Sequence, residues 1–79
     1  MPSEPVTDGD TPPEQLSPRE AECLQWAARG KSATDTAAIL GLSARTVEAY
    51  LERGRSKLGV RTRIEAVAKA VSLGLISPS

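Results

Sequence analysis

The sequence predicts an all-α fold, a four-helix bundle with a helix-turn-helix embedded in it. Three observations carry that expectation. Helix-start residues recur at Ser17, Ser32, Ser43 and Thr62, each followed by apolar residues at helical spacing. A glycine closes each segment, at Gly30, Gly41, Gly59 and Gly74. The segments so delimited leave no strand candidate between them.

Residues 1–15 precede the first start signal. They contain Pro2, Pro5, Pro12 and Pro13, an Asp-Gly-Asp turn and one larger aliphatic residue after the start, Val6. A disordered acidic Pro-rich leader is expected there, followed by a domain over residues 16–77.

The first helix opens at Ser17-Pro18-Arg19-Glu20: Ser as N-cap, Pro at the first helical position and Glu three residues after the cap to close a capping box. Leu16 is placed to act as a hydrophobic staple, and Ala21, Cys23, Leu24, Ala27 and Ala28 form the inward stripe up to Gly30. The second helix starts at Ser32 with Asp35, is expected to bury Ala37, Ile39 and Leu40, and stops at Gly41. Only Gly41 and Leu42 separate it from the next cap, Ser43, which makes the pair a tight helix-turn-helix. The third helix runs from Ala44 to about Leu58, with Val47, Tyr50, Leu51, Gly54 and Leu58 facing inward. Thr62 and Glu65 box the start of the fourth, whose inner stripe reads Ile64, Val67, Ala68, Val71 and Leu75. A second stripe, Ala66, Ala70 and Leu73, falls outside that face and reads equally as a broad core or as a dimer contact.

Seventy-nine residues suit one small domain, and no run approaches the length of a membrane span. The start lacks the basic and apolar character of a secretory signal, so a cytoplasmic protein is expected. With no His and a single Cys, Cys23, the chain cannot form an internal disulfide, a Cys/His zinc site or a His-based triad. No enzyme activity, cofactor or metal is therefore expected.

Lys and Arg balance Asp and Glu at ten each, but the charge is segregated along the chain. Residues 1–22 carry a net minus five and residues 23–79 a net plus five, with plus four between Arg45 and Arg63. Such clustering suits a phosphate-binding face, although a solvated helix face gives the same count.

A helix-turn-helix allows its second helix to lie in a DNA major groove while the first crosses the backbone. The exposed face of the third helix would then turn Arg45, Glu48, Ala49 and Glu52 toward base edges, and Arg53, Arg55 and Lys57 toward phosphates, with Arg61 and Arg63 entering from the fourth helix. Glu can accept from cytosine N4 and Ala can meet a thymine methyl, so acidic readers are compatible with specificity if neighbouring cations supply affinity. The rival reading is a protein-interaction module that uses helix four or the acidic leader to capture a related regulator or RNA polymerase. Trp26, Cys23 and Tyr50 read as packing residues.

Residues 16–76 resemble the C-terminal DNA-binding domain of LuxR-type regulators, which also occurs free-standing in GerE-like members. The residues carrying this resemblance are Leu16-Ser17-Pro18-Arg19-Glu20, the segment Glu22 to Lys31, Ser43 to Val47, and Lys57-Leu58-Gly59-Val60 leading to Arg63. The version E-C-L-x-W-A-A-x-G-K is similar to the quorum-sensing branch, whose members bind acyl-homoserine lactones through a separate N-terminal domain not contained in these residues. The resemblance implies a four-helix LuxR-type bundle that binds double-stranded DNA and regulates transcription. It also implies Lys31 and Thr46 at phosphates, Glu48, Ala49 and Glu52 in base-facing slots, and a homodimer through helix four. The chain departs from the family pattern at Thr36, Tyr50, Glu52 and Gly54.

Overall fold

The computed structural model describes residues 16–78, and the expectation of a disordered leader over 1–15 lies outside them. Four helices follow one another: α1 (Pro18–Ala28), α2 (Ala33–Leu40), α3 (Ala44–Leu58) and α4 (Arg63–Ser72). No strand occurs among the described residues.

The local chemistry behaves as the start signals predict. Ser17 Oγ accepts from the Glu20 N–H at 3.3 Å, while Glu20 Oε1 accepts from the Ser17 N–H at 3.0 Å. Ser32 with Asp35 and Thr62 with Glu65 close the same reciprocal box, each satisfying amide donors that a helix start leaves unpaired. At the other end of α2, Gly41 adopts φ +72°, a left-handed backbone that strains residues with a Cβ. The chain reverses there, the Leu42 N–H returns to the Ala37 carbonyl at 2.9 Å, and Ser43 is free to cap α3 at once.

Helix α3 is the central element and packs against α1, α2 and α4. The core between them consists of Cys23, Leu24, Ala33, Ala37, Val47, Leu51, Leu58, Ala66, Ala70 and Ile76. Gly54 is buried because α1 and α3 pass close together: a Cβ at this position would lie 3.0 Å from Leu24 Cδ1. The C-terminal segment folds back onto α1, where the Ser77 N–H donates to Gln25 Oε1 at 2.8 Å and Gln25 Nε2 donates to the Ser77 carbonyl at 3.1 Å.

Two packing expectations are corrected. Ile39 is 46% exposed, because the buried face of the short α2 is Ala33, Thr36 and Ala37, with Leu40 half-buried, and residue 39 falls outside that stripe. Thr36 occupies this buried face by donating its hydroxyl to the Ser32 carbonyl at 2.9 Å. In α4 the phase is reversed. Ala66 and Ala70 are fully buried, whereas Ile64 is 81% exposed and Ala68 is also exposed. Their small side chains fit the close-packed centre, and the bulkier aliphatics lie on the flank. A dimer contact built on Ala66 and Ala70 is thereby overturned, since both belong to the monomer core; Leu73 alone of that trio is exposed.

Candidate nucleic-acid interface

The exposed side of α3 forms one wall of an open cleft of about 550 Å³, and the start of α4 forms the other. Its lining brings together Arg45, Glu48, Ala49, Glu52, Arg55, Arg61 and Arg63, with Leu51 at its base. Position on α3 explains the convergence. Residues 45, 48, 49 and 52 share the side opposite the buried Val47, Leu51, Gly54 and Leu58 stripe, and nothing in the fold covers them. The turn after Gly59 then returns the chain so that Arg61 and Arg63 face the same space.

The carboxylates of this face are held by its guanidinium groups. Arg63 donates from NH2 to Glu48 Oε1 at 2.5 Å. Arg55 binds Glu52 through Nε at 3.1 and 3.2 Å and through NH2, and its NH1 reaches the Val60 carbonyl at 2.6 Å. The hydrogen bond from Arg55 draws the Glu52 carboxyl below its ordinary pKa, with the charges of Arg55 and Arg63 adding to it, and the same bond raises Arg55. Arg45 and Arg61 line the cleft as exposed cations.

The remaining predicted residues lie elsewhere. Thr46 donates its N–H to Ser43 Oγ at 3.1 Å and its Oγ1 accepts from the Ser43 hydroxyl at 3.0 Å, so it completes the α3 cap. Arg53 sits over the Tyr50 ring, 5.8 Å from its centroid, on another flank of α3. Lys31 is exposed at the junction of α1 and α2. Lys57 corrects the expectation most clearly. Its Nζ lies 2.9 Å from Oε1 of the fully buried Glu20 and its side chain is only 15% exposed, so it faces α1 and not a phosphate. Sequence separation hides such a pair: Glu20 announces itself only as a cap residue, and Lys57 only as one more cation in a run.

A second groove, of about 480 Å³, was not anticipated. It runs between the end of α1 and α4, lined by Ala27, Ala28, Gly30, Ile64, Val67 and Ala68, with Lys31 and Arg63 also on its walls. The periodicity of α4 signalled these aliphatics, but as core. Trp26 is half-buried and carries the Arg29 guanidinium 5.0 Å from its ring centroid.

Residues 14–70 match the bacterial regulatory proteins of the luxR family. The chain belongs to that family. This luxR-family chain is 44% identical over 70 residues to the transcriptional activator protein AhyR of Aeromonas hydrophila, covering 89% of this chain and 27% of that protein. It is 50% identical over 62 residues to the HTH-type quorum sensing-dependent transcriptional regulator RpaR of Rhodopseudomonas palustris, covering 78% of this chain and 26% of that one. The chain thus spans about a quarter of the length of these curated relatives. Among solved structures it is similar to the transcription factor GerE, with a TM-score of 0.78 and 33% identity over 81% of this chain and 96% of that one. The luxR-family fold and the helix-turn-helix are those of DNA-binding transcription regulators, and no described helix is long and apolar enough to cross a membrane.

Proposed function

We propose that this luxR-family domain binds double-stranded DNA in the cytoplasm and regulates transcription, with α3 in the major groove and Glu48, Ala49 and Glu52 toward base edges. One observation carries the reading: the second helix of the helix-turn-helix leaves an uncovered face on which four guanidinium groups converge. Arg45 and Arg61 then serve the flanking phosphates, joined by Lys31 where α2 crosses the backbone. Arg55 and Arg63 hold carboxylates first.

Two copies are proposed to meet through α4, by the flank that carries the exposed Ile64 and Ala68 beside the half-buried Val67 and Val71. Ile64, Val67, Ala68 and Val71 stand at i, i+3, i+4 and i+7, and Ile64 is almost wholly exposed. Such a pair would read a two-fold site with half-sites about one helical turn apart. The same groove supports a second reading, in which the flank takes up α4 of a related regulator in place of a second copy.

The test is selection of bound duplexes from a randomised DNA pool at low salt. Enrichment of a two-fold motif is expected. A folded protein that enriches no sequence would overturn the reading and leave protein capture, scored by pull-down on a full-length relative, as the alternative.

A further inference from the structure

The reading face carries two negative charges into a groove flanked by phosphates. A bare carboxylate there would lose its hydration and meet a negative potential, both unfavourable. Neither carboxylate is bare. Glu48 is bound through Oε1 by Arg63, the first residue of α4, and Glu52 is bound by Arg55, which the Val60 carbonyl anchors in turn. Both guanidinium groups belong to the walls of the cleft and are in place without DNA. Oε2 of Glu48 accepts no hydrogen bond among the described residues, and the side chain that carries it is about half exposed on the lining of the cleft.

The chemistry of the open oxygen selects its partner. In the major groove, guanine offers only acceptors (N7 and O6), and thymine offers an acceptor and a methyl group. Adenine has an amine, but its N7 acceptor lies beside it and repels a carboxylate. Cytosine alone presents an amine donor with no acceptor on its own groove edge. We propose that Glu48 specifies a cytosine in each half-site and that Arg63 is its positioning residue, neutralising the carboxylate and fixing which oxygen faces the base. One base of the site is then read by a pair of residues from two helices. This inference rests on the DNA-binding reading above.

The experiment compares sites selected from the randomised pool by the native chain, Glu48→Gln, Arg63→Gln and Arg63→Lys, then measures affinity for the best site with each base pair replaced in turn. Both side chains are about half exposed, so the variants should fold, which circular dichroism checks. The native chain should prefer one cytosine per half-site by roughly tenfold. Glu48→Gln should move that preference toward adenine, which glutamine matches with a donor and an acceptor. Arg63→Gln should flatten preference at the same position and no other, and Arg63→Lys should restore part of it. If Arg63→Gln weakens all sequences alike and lowers the salt slope by about 0.9, Arg63 is a phosphate contact and the inference is overturned. Unchanged preference in either glutamine variant overturns it as well. A native chain that selects no site fails the DNA-binding reading itself, a different and earlier failure.

Discussion

Lys57 Nζ lies 2.9 Å from Glu20 Oε1, which ties the last turn of α3 to the capping box that opens α1. Glu20 is fully buried, and its Oε2 has no hydrogen-bond partner among the described residues, so this carboxylate depends on Lys57 and the Ser17 N–H for compensation. The pair joins the end of α3 to the start of α1 across the bundle.

Lys57→Ala should therefore act on stability and not on DNA contacts. Removing one partner of a buried pair leaves an uncompensated charge and costs about 3 kcal/mol or more. Urea denaturation should show the midpoint falling. The fraction that remains folded should keep the native salt slope of DNA binding; a stable variant whose slope drops by about 0.9 would make Lys57 a phosphate contact after all.

Gly54 balances helix propensity against close packing. An alanine there gains about 1 kcal/mol of helix propensity but brings a Cβ to 3.0 Å from a terminal methyl of the buried Leu24. Gly54→Ala should change stability by less than about 1 kcal/mol, because the two effects oppose. Gly54→Val adds further atoms to the same contact and should cost about 2 kcal/mol or more. Thermal unfolding of both variants checks the ordering, and a valine as stable as glycine would deny the close approach of α1 and α3.

The uncovered flank of α4 predicts a contrast within one helix. Ile64→Glu should leave the fold intact, since Ile64 is 81% exposed, and should shift the protein toward monomer in sedimentation velocity. Ala66→Glu should unfold it, since that site is fully buried. An Ile64→Glu chain that keeps the native association state would remove this flank from the proposed interface.

Cys23 gives a pH-dependent prediction. Burial, with the charges of Glu22 and Glu20, pushes its thiol above the ordinary pKa, so the folded state favours the protonated form. Its folded pKa lies above the unfolded one, so the associated stability is present below the unfolded value and is lost as pH rises through the folded value. Cys23 should resist a thiol reagent at pH 8 and react at once in denaturant. Fast labelling of the native protein would place the thiol at the surface.

The sequence made most of the fold legible because its signals are local. Ser17 with Glu20, Ser32 with Asp35 and Thr62 with Glu65 lie three residues apart, and Gly41 marks the turn by itself. The phase of α4 was not legible, since Ile64-Val67-Ala68-Val71 and Ala66-Ala70 are both helical stripes, and hydrophobicity favours the bulkier one while packing in the bundle buries the smaller. At the candidate site, the exposed positions 45, 48, 49 and 52 followed from their distance from the apolar stripe. The destinations of the cations did not, because Glu48 with Arg63 and Glu20 with Lys57 are joined only by the fold.

The most direct test of the central claim, that the open face of α3 engages DNA through its cations, is binding affinity measured by fluorescence anisotropy against salt concentration. If Lys31, Arg45 and Arg61 each meet a phosphate, a plot of log affinity against log salt should fall with a slope of about −2.7 per domain, and replacing any one of them by alanine should make it shallower by about 0.9. A flat line, or no binding at low salt by a folded chain, would contradict the account.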